Sequence, residues 1–297
     1  MRVNPNFTPE ILADLYISQS QEQTTLEQMA TGQLINMPSD NPAGAATLVE
    51  NMAQQSSTDQ FVQNTNTVEG LLQTADSTLS SLVEALNQAI SLGVQGGSST
   101  ATQQNQQQIA QQVQGIQAQV LQLANTSYEG NYIFAGTATT TVPFTANPSA
   151  PDGVTYNGNN NTNTVEIAEG RSVPINVPGS QIFQGSGGDV MGSLQQLVTA
   201  LQSGNITNID NATTQLGTAL NYVSEQRVFY GNVMDQLTSN QSVLQQEQVN
   251  LQSQQNAVDA VNMAQAATNL SQEQVTQNAT LAALAKVIPV SLLNYLQ

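Results

Sequence analysis

The sequence predicts a mainly α fold: a long antiparallel helical rod or coiled coil formed by the N- and C-terminal segments, with a small β domain inserted between them. Three observations predict it. Apolar side chains alternate three and four apart near both ends of the 297-residue chain. That alternation lapses at Tyr128, where a Thr-, Pro- and Asn-rich stretch begins. It resumes after Gly185-Ser186-Gly187-Gly188. A 3–4 alternation lines one stripe of a helix, and a stripe needs a partner stripe to bury it.

The first element should be an amphipathic helix carrying Leu12, Tyr16, Gln19, Gln23, Leu26 and Ala30. Glutamines interrupt that stripe, so the helix depends on partners for stability. It should end near Gly32. Pro38-Ser39-Asp40-Asn41-Pro42 then marks a turn, with Asn41 as N-cap and Pro42 at the first helical position. The second helix runs from there through Val68, Leu72, Ala75, Leu79, Leu82, Leu86 and Ala89 to about Ile90, and Gly93, Gly96 and Gly97 stop it. Thr100 or Thr102 can cap the third helix, which carries Ile109, Val113, Ile116, Val120 and Leu123 to about Asn125.

The insert should be β. Tyr132-Ile133-Phe134-Ala135-Gly136 reads as a strand. Asp152-Gly153 and Asn157-Gly158 read as turns around Val154-Thr155-Tyr156. Residues 165–167 and 173–177 should form a hairpin across Glu169-Gly170, with Pro174 confining the second strand to an edge. Helix should resume with Met191, Leu194, Val198 and Leu201, break at Gly204-Asn205, and continue as a long heptad helix from Ile209 to Val261. Beyond Val261 the apolar set becomes Met263, Ala267, Leu270, Gln274, Gln277, Leu281, Leu284 and Ile288, two residues out of register. Such a slip moves the seam around the helix and marks a new packing neighbour. Pro289 should bend the chain ahead of an apolar tail, Leu292, Leu293, Tyr295 and Leu296. These readings divide the chain into a terminal helical domain (1–42 with 263–297, mobile in the monomer), a helical rod (43–135 with 189–262) and a β-rich outer domain (136–188).

Composition excludes whole classes of function. There is no Cys and no His, which removes Cys–His and Ser–His–Asp nucleophilic machinery and thiolate or imidazole metal sites. No catalytic, cofactor-binding or metal-binding residue is therefore assigned, and the chain is not expected to be an enzyme. Glu166 and Glu169 lie across a turn with no aromatic platform, and read as solvated hairpin residues rather than an acid–base pair. Only 8 % of residues are charged, with four basic against twenty-one acidic side chains and a net charge of −17. The basic residues are scattered, so binding to nucleic acid through phosphates is not expected. No segment reaches the roughly 20 apolar residues of a membrane span, and no cleaved secretion signal is evident. Glycine-rich stretches at 93–97 and 185–188 lack a phosphate-loop lysine and read as linkers.

Several blocks resemble a known family. Gly32-Gln33-Leu34-Ile35-Asn36-Met37-Pro38-Ser39-Asp40-Asn41-Pro42-Ala43-Gly44 resembles the N-terminal block of the flagellin superfamily. The stretch from Asn125 to Gly136 and the tail Val290-Ser291-Leu292-Leu293-Asn294-Tyr295-Leu296 resemble the hook-associated protein 3 family within it. So do Tyr156-Asn157-Gly158, the run Ser172 to Gly179, and Phe183. The resemblance covers nearly the whole chain. It implies a structural subunit joining hook to filament, exported through the flagellar type III apparatus and folding on assembly; a minor flagellin of the filament is the alternative. Implied partners are copies of the same chain in a ring, hook-associated protein 1, flagellin and a cytoplasmic export chaperone. Gln33 stands where the family carries a basic residue, so a salt bridge there is not expected. The apolar residues near the ends that an assembly contact would use are Leu12, Tyr16, Leu26, Leu281, Leu284, Ile288, Leu292, Leu293, Tyr295 and Leu296.

Overall fold

A computed structural model describes the backbone of residues 7–295 and the side chains of residues 9–285. Seven helices carry the described chain: α1 (Phe7–Thr31), α2 (Pro42–Gly96), α3 (Gln103–Ala124), α4 (Gly179–Phe183), α5 (Val190–Ser203), α6 (Ile206–Asp259) and α7 (Met263–Tyr295). Six short strands lie between α3 and α4: β1 (Ser127–Tyr128), β2 (Asn131–Tyr132), β3 (Phe144–Ala146), β4 (Val154–Tyr156), β5 (Thr164–Ala168) and β6 (Arg171–Pro174). They pair as three separate antiparallel ribbons, β1–β2, β3–β4 and β5–β6. The fold is thus mainly helical with a small β insert. It separates into two compact units, residues 1–57 with 246–297 and residues 58–245.

Local chemistry sets the helix boundaries. Asn41 Oδ1 accepts from Gly44 N at 3.0 Å, so α2 begins at Pro42 under an Asn cap. Thr102 caps α3 by accepting from Asn105 N. Asp189 caps α5 through Gly192 N at 2.9 Å, and Gly204 ends it in the left-handed region at φ +68°. Asn205 Oδ1 then accepts from Asn208 N at 3.1 Å, opening α6. A helix break, not a slip within one helix, accounts for the change of phase after α6. α6 stops at Asp259, two residues short of Val261, and Asn262 Oδ1 accepts from Ala264 N and Gln265 N to start α7. α7 continues through Pro289 to Tyr295, where the sequence suggested a bend. A proline forfeits one hydrogen bond of the ladder, and the rest of the helix carries on.

The 58–245 unit holds a continuous apolar core. Val68, Leu72, Ala75, Leu79, Leu82, Leu86 and Ala89 of α2 are all buried. So are Ile209, Ala212, Leu216, Ala219, Val223, Tyr230, Val233 and Leu237 of α6. The two helices run antiparallel, joined by Arg227 Nε to Asp76 Oδ1 at 2.8 Å and by Gln241 Nε2 to Asn66 Oδ1 at 3.1 Å. α3 and α5 pack together on the same core, with Ile109, Val113 and Val120 facing Leu194, Leu197 and Leu201 in one cluster.

The insert departs from the sequence reading in three ways. Residues 132–136 form no strand beyond Tyr132, because Phe134 turns inward to meet Phe183 edge-on at 5.3 Å. The partner of Val154–Tyr156 is Phe144–Ala146, which Pro143 and Pro148 disguise in sequence. Pro178-Gly179 opens a short helix, α4, rather than a turn alone. The hairpin expected across Glu169-Gly170 is present, with Val165 opposite Val173 and Gly170 at φ +67°, but its second strand is Arg171–Pro174 and residues 175–177 lie beyond it.

Side-chain amides tie the ribbons to the helices. Asn125 at the end of α3 donates to Phe144 O and accepts from Phe144 N, both at 2.8 Å, completing β3 like an extra strand residue. Asn64 Nδ2 donates to Glu166 O at 2.9 Å and buried Asn240 Nδ2 to Ile167 O at 2.7 Å. Tyr230 Oη accepts from Val177 N at 3.4 Å, and burial pushes its phenol well above the ordinary range, so it stays protonated. Glu166 Oε1 accepts from Gly170 N at 2.9 Å, closing its own hairpin.

Candidate assembly surface

The candidate surface lies in the other unit, where α1 pairs with α7. The α1 side of the seam is Ile11, Leu15, Ser18, Glu22, Thr25 and Met29, each buried or half-buried. This stripe sits one residue from the one hydropathy suggests. The α7 side is Ala266, Leu270, Glu273, Gln277, Thr280 and Leu284. It shares Leu270, Gln277 and Leu284 with the expected set, but Met263, Ala267, Gln274 and Leu281 face solvent. Ser18 and Thr25 rank among the buried polar residues, while apolar groups collect towards the two ends of the seam.

Thr25 Oγ1 donates to Glu273 Oε1 at 3.2 Å across the seam. The second carboxylate oxygen of Glu273 is buried with no hydrogen-bond partner. A cleft of about 350 Å³ opens beside it, lined by Asp14, Ile17, Ser18, Gln21, Asn269 and Thr276 among others. A polar seam with a half-satisfied carboxylate contributes little net stability, because burying such a group offsets much of what apolar contact supplies.

The phase of the seam decides where the expected contact residues lie. Leu12, Tyr16, Leu26 and Leu281 are 44 %, 71 %, 48 % and 46 % exposed. They form no part of the α1–α7 seam. Leu284 is buried within it, and so faces α7's own partner in the same chain. The side chains of Ile288, Leu292, Leu293 and Tyr295, and all of Leu296, lie outside the described residues. Ile17 is a further exposed apolar residue beside Tyr16, which periodicity alone did not single out.

The linkers at the base of this pair are joined. Gly32 ends α1 in the left-handed region at φ +73°. Gln33 forms an antiparallel bridge with Ala260. Leu34 N donates to Asp259 O at 2.6 Å, Ile35 N to Asp259 Oδ1 at 2.8 Å and Val261 N to Gly32 O at 3.2 Å. Asp40 Oδ2 accepts from Asn36 N and Met37 N, holding the loop ahead of the Asn41 cap. The Ser39–Pro42 block is therefore a turn and cap, and Gln33 contributes backbone rather than charge. In the same unit α2 and α6 meet through amide donors, Gln54 Nε2 to the Glu247 carboxylate Oε1 and Gln255 Nε2 to the Gln55 amide Oε1, both at 3.1 Å. Among the described residues no cluster of three metal-ligating side chains occurs, and no helix is long and apolar enough to cross a membrane.

Comparison with known proteins finds flagellar relatives. The model for the bacterial flagellin N-terminal helical region matches residues 8–139, and that for the C-terminal helical region matches residues 206–296. Flagellar hook-associated protein 3 of Salmonella typhimurium is 31 % identical over 167 residues, which make up 56 % of this chain and 51 % of that protein. The chain thus spans about half the length of the hook-associated proteins it matches at this level. Flagellin of Listeria innocua is 23 % identical over 292 residues, 96 % of this chain and 95 % of that one. In structure, the flagellar junction protein FlgL from Legionella pneumophila superposes with a TM-score of 0.61 at 14 % identity, covering 72 % of this chain and all of that one. With both its terminal helical regions matched on either side of an unmatched insert, the chain belongs to the flagellin family.

Proposed function

We propose that this protein is a structural subunit of the bacterial flagellum, placed at the junction between hook and filament and lacking catalytic activity. The observation that carries the reading is the phase of the α1–α7 seam. It pairs the two ends of the chain through polar contacts and leaves Leu12, Tyr16, Leu26 and Leu281 facing outward. Exposed apolar residues on a weakly paired couple of helices suit a surface that other subunits cover. Each Å² so covered contributes roughly 25 cal/mol, against about 1–2 kcal/mol of backbone entropy for each residue ordered.

The same balance supports export of a loosely folded chain and locking of its ends on assembly. The partners are copies of this chain in a ring, hook-associated protein 1 on one side and flagellin on the other, with a cytoplasmic chaperone before export. In the assembled state residues 1–42 with 263–297 form the inner domain, 43–135 with 189–262 the rod, and 136–188 the outer face. Similarity to hook-associated protein 3 at 31 % identity favours the junction. The near full-length alignment with a flagellin favours the second reading, a minor flagellin of the filament itself. A strain lacking the gene separates them. The junction reading expects flagellin shed into the medium and hooks without filaments. Intact filaments of normal length would contradict it and favour the second.

A further inference from the structure

The chain has seven methionines and neither Cys nor Trp, so thioether sulfur is its principal soft nucleophile. Where those sulfurs sit is uneven. Met191 is fully buried in α5, and Met234 packs half-buried against the same core. Met37, Met52 and Met263 are 52 %, 55 % and 49 % exposed, and all three belong to the unit formed by residues 1–57 and 246–297. Met37 lies in the loop fixed by Asp40, its N–H donating to Asp40 Oδ2 at 2.8 Å. Met263 is the first residue of α7, next to the capping Asn262. Both flank the joined linkers at Asp259 and Leu34, and Leu34 is itself exposed.

We propose that Met37, Met52 and Met263 form an oxidant-reactive set, through which hydroperoxides modify this unit ahead of the 58–245 unit, which stays folded. The sulfur lone pair attacks the terminal oxygen of the peroxide. The S–O bond forms as the O–O bond breaks, and the transferred oxygen's proton passes to the departing oxygen, which leaves as water or, from an alkyl hydroperoxide, as the alcohol. Sulfur loses two electrons and the peroxide gains them. No protein base takes part, so access to the sulfur governs the rate. The product is a polar sulfoxide in place of an apolar tip. None of the three side chains belongs to the apolar core, so the fold survives and only the surface changes. The inference is independent of the junction reading.

The test is treatment of the purified full chain with hydrogen peroxide, followed peptide by peptide by mass spectrometry. Peptides carrying Met37, Met52 and Met263 should convert first, at least about tenfold faster than the Met191 peptide. Helical circular dichroism should not change, and the oxidised protein should leave a hydrophobic-interaction column earlier. The combined variant Met37→Leu, Met52→Leu and Met263→Leu keeps apolar bulk and should shift far less after the same treatment. Equal rates at Met191, loss of helix once the three are oxidised, or an equal elution shift in the variant would each overturn the proposal.

Discussion

Asn240 occupies a seam position of α6, and the heptad pattern alone ranks it as a defect that any apolar residue would improve. Its surroundings assign it the opposite value. It is 3 % exposed, and its Nδ2 donates to Ile167 O at 2.7 Å, holding β5 to the helix. Asn240→Ala removes the donor and leaves the Ile167 carbonyl without its protein partner. An orphaned buried acceptor costs about 1–3 kcal/mol. For a body the size of residues 58–245, each kcal/mol lowers the melting temperature by about 2–4 °C, so the expected loss is about 2–12 °C. Ser239→Ala, on the neighbouring exposed position, is the control and should stay within about 0.5 kcal/mol of the parent. Asn240→Asp keeps the shape but turns an oxygen towards the carbonyl, and should cost more than the alanine. Thermal and urea melts of the three variants supply the numbers, and hydrogen exchange at 164–174 localises them. An alanine variant as stable as the control, with unchanged exchange in the hairpin, would show that the amide does not hold the strand.

Other outcomes follow from the same structure. Leu284→Ala should destabilise the α1–α7 pair by about 2–5 kcal/mol in a urea melt followed by exchange on α1, whereas Tyr16→Ser, at a 71 % exposed position, should leave folding within about 0.5 kcal/mol and impair only assembly into flagella. Burial raises the Asp189 carboxyl above the ordinary carboxylate range, despite its backbone bond to Gly192 and assisted by nearby Asp152. The folded state therefore binds this proton more readily than the unfolded chain, and ionising the group costs stability as pH rises through its folded pKa. Asp189→Asn keeps the cap and removes that cost, so its gain in denaturant melts should be present at neutral pH and vanish below the usual Asp range. Removing residues 290–297 should leave the melting of residues 58–245 unchanged and abolish incorporation into flagella, as scored by electron microscopy.

What the sequence revealed divides by range. Caps and stops were legible because their chemistry is local: Asn41 before Pro42, Thr102 ahead of α3, and Gly204-Asn205 between α5 and α6 each act within a few residues. The α2 and α6 stripes were legible because their seam residues are apolar nearly throughout. The α1 stripe was misplaced by one residue for the converse reason. Its true seam contains Ser18, Glu22 and Thr25, and hydropathy cannot rank those above Leu12, Tyr16 and Leu26. Only the partner side chain, Glu273, distinguishes the two phases. The insert was legible at the 164–174 hairpin, where turn and alternation agree. It was illegible at Phe134, Phe144 and Phe183, whose ring contacts join positions far apart in sequence. The amide clamps at Asn64, Asn125 and Asn240 carry no periodic signal, since an asparagine that holds a distant carbonyl looks like one facing water.

The phase of the α1–α7 seam is what the functional account depends on, and engineered disulfides read it directly. The chain has no cysteine of its own. Thr25→Cys combined with Glu273→Cys should cross-link readily on mild oxidation, because Thr25 and Glu273 already touch across the seam. Leu26→Cys combined with Glu273→Cys should remain reduced, because Leu26 points away from α7. Efficient bridging of 26 to 273, with little bridging of 25 to 273, would bury the stripe that the account leaves open to other subunits and contradict it.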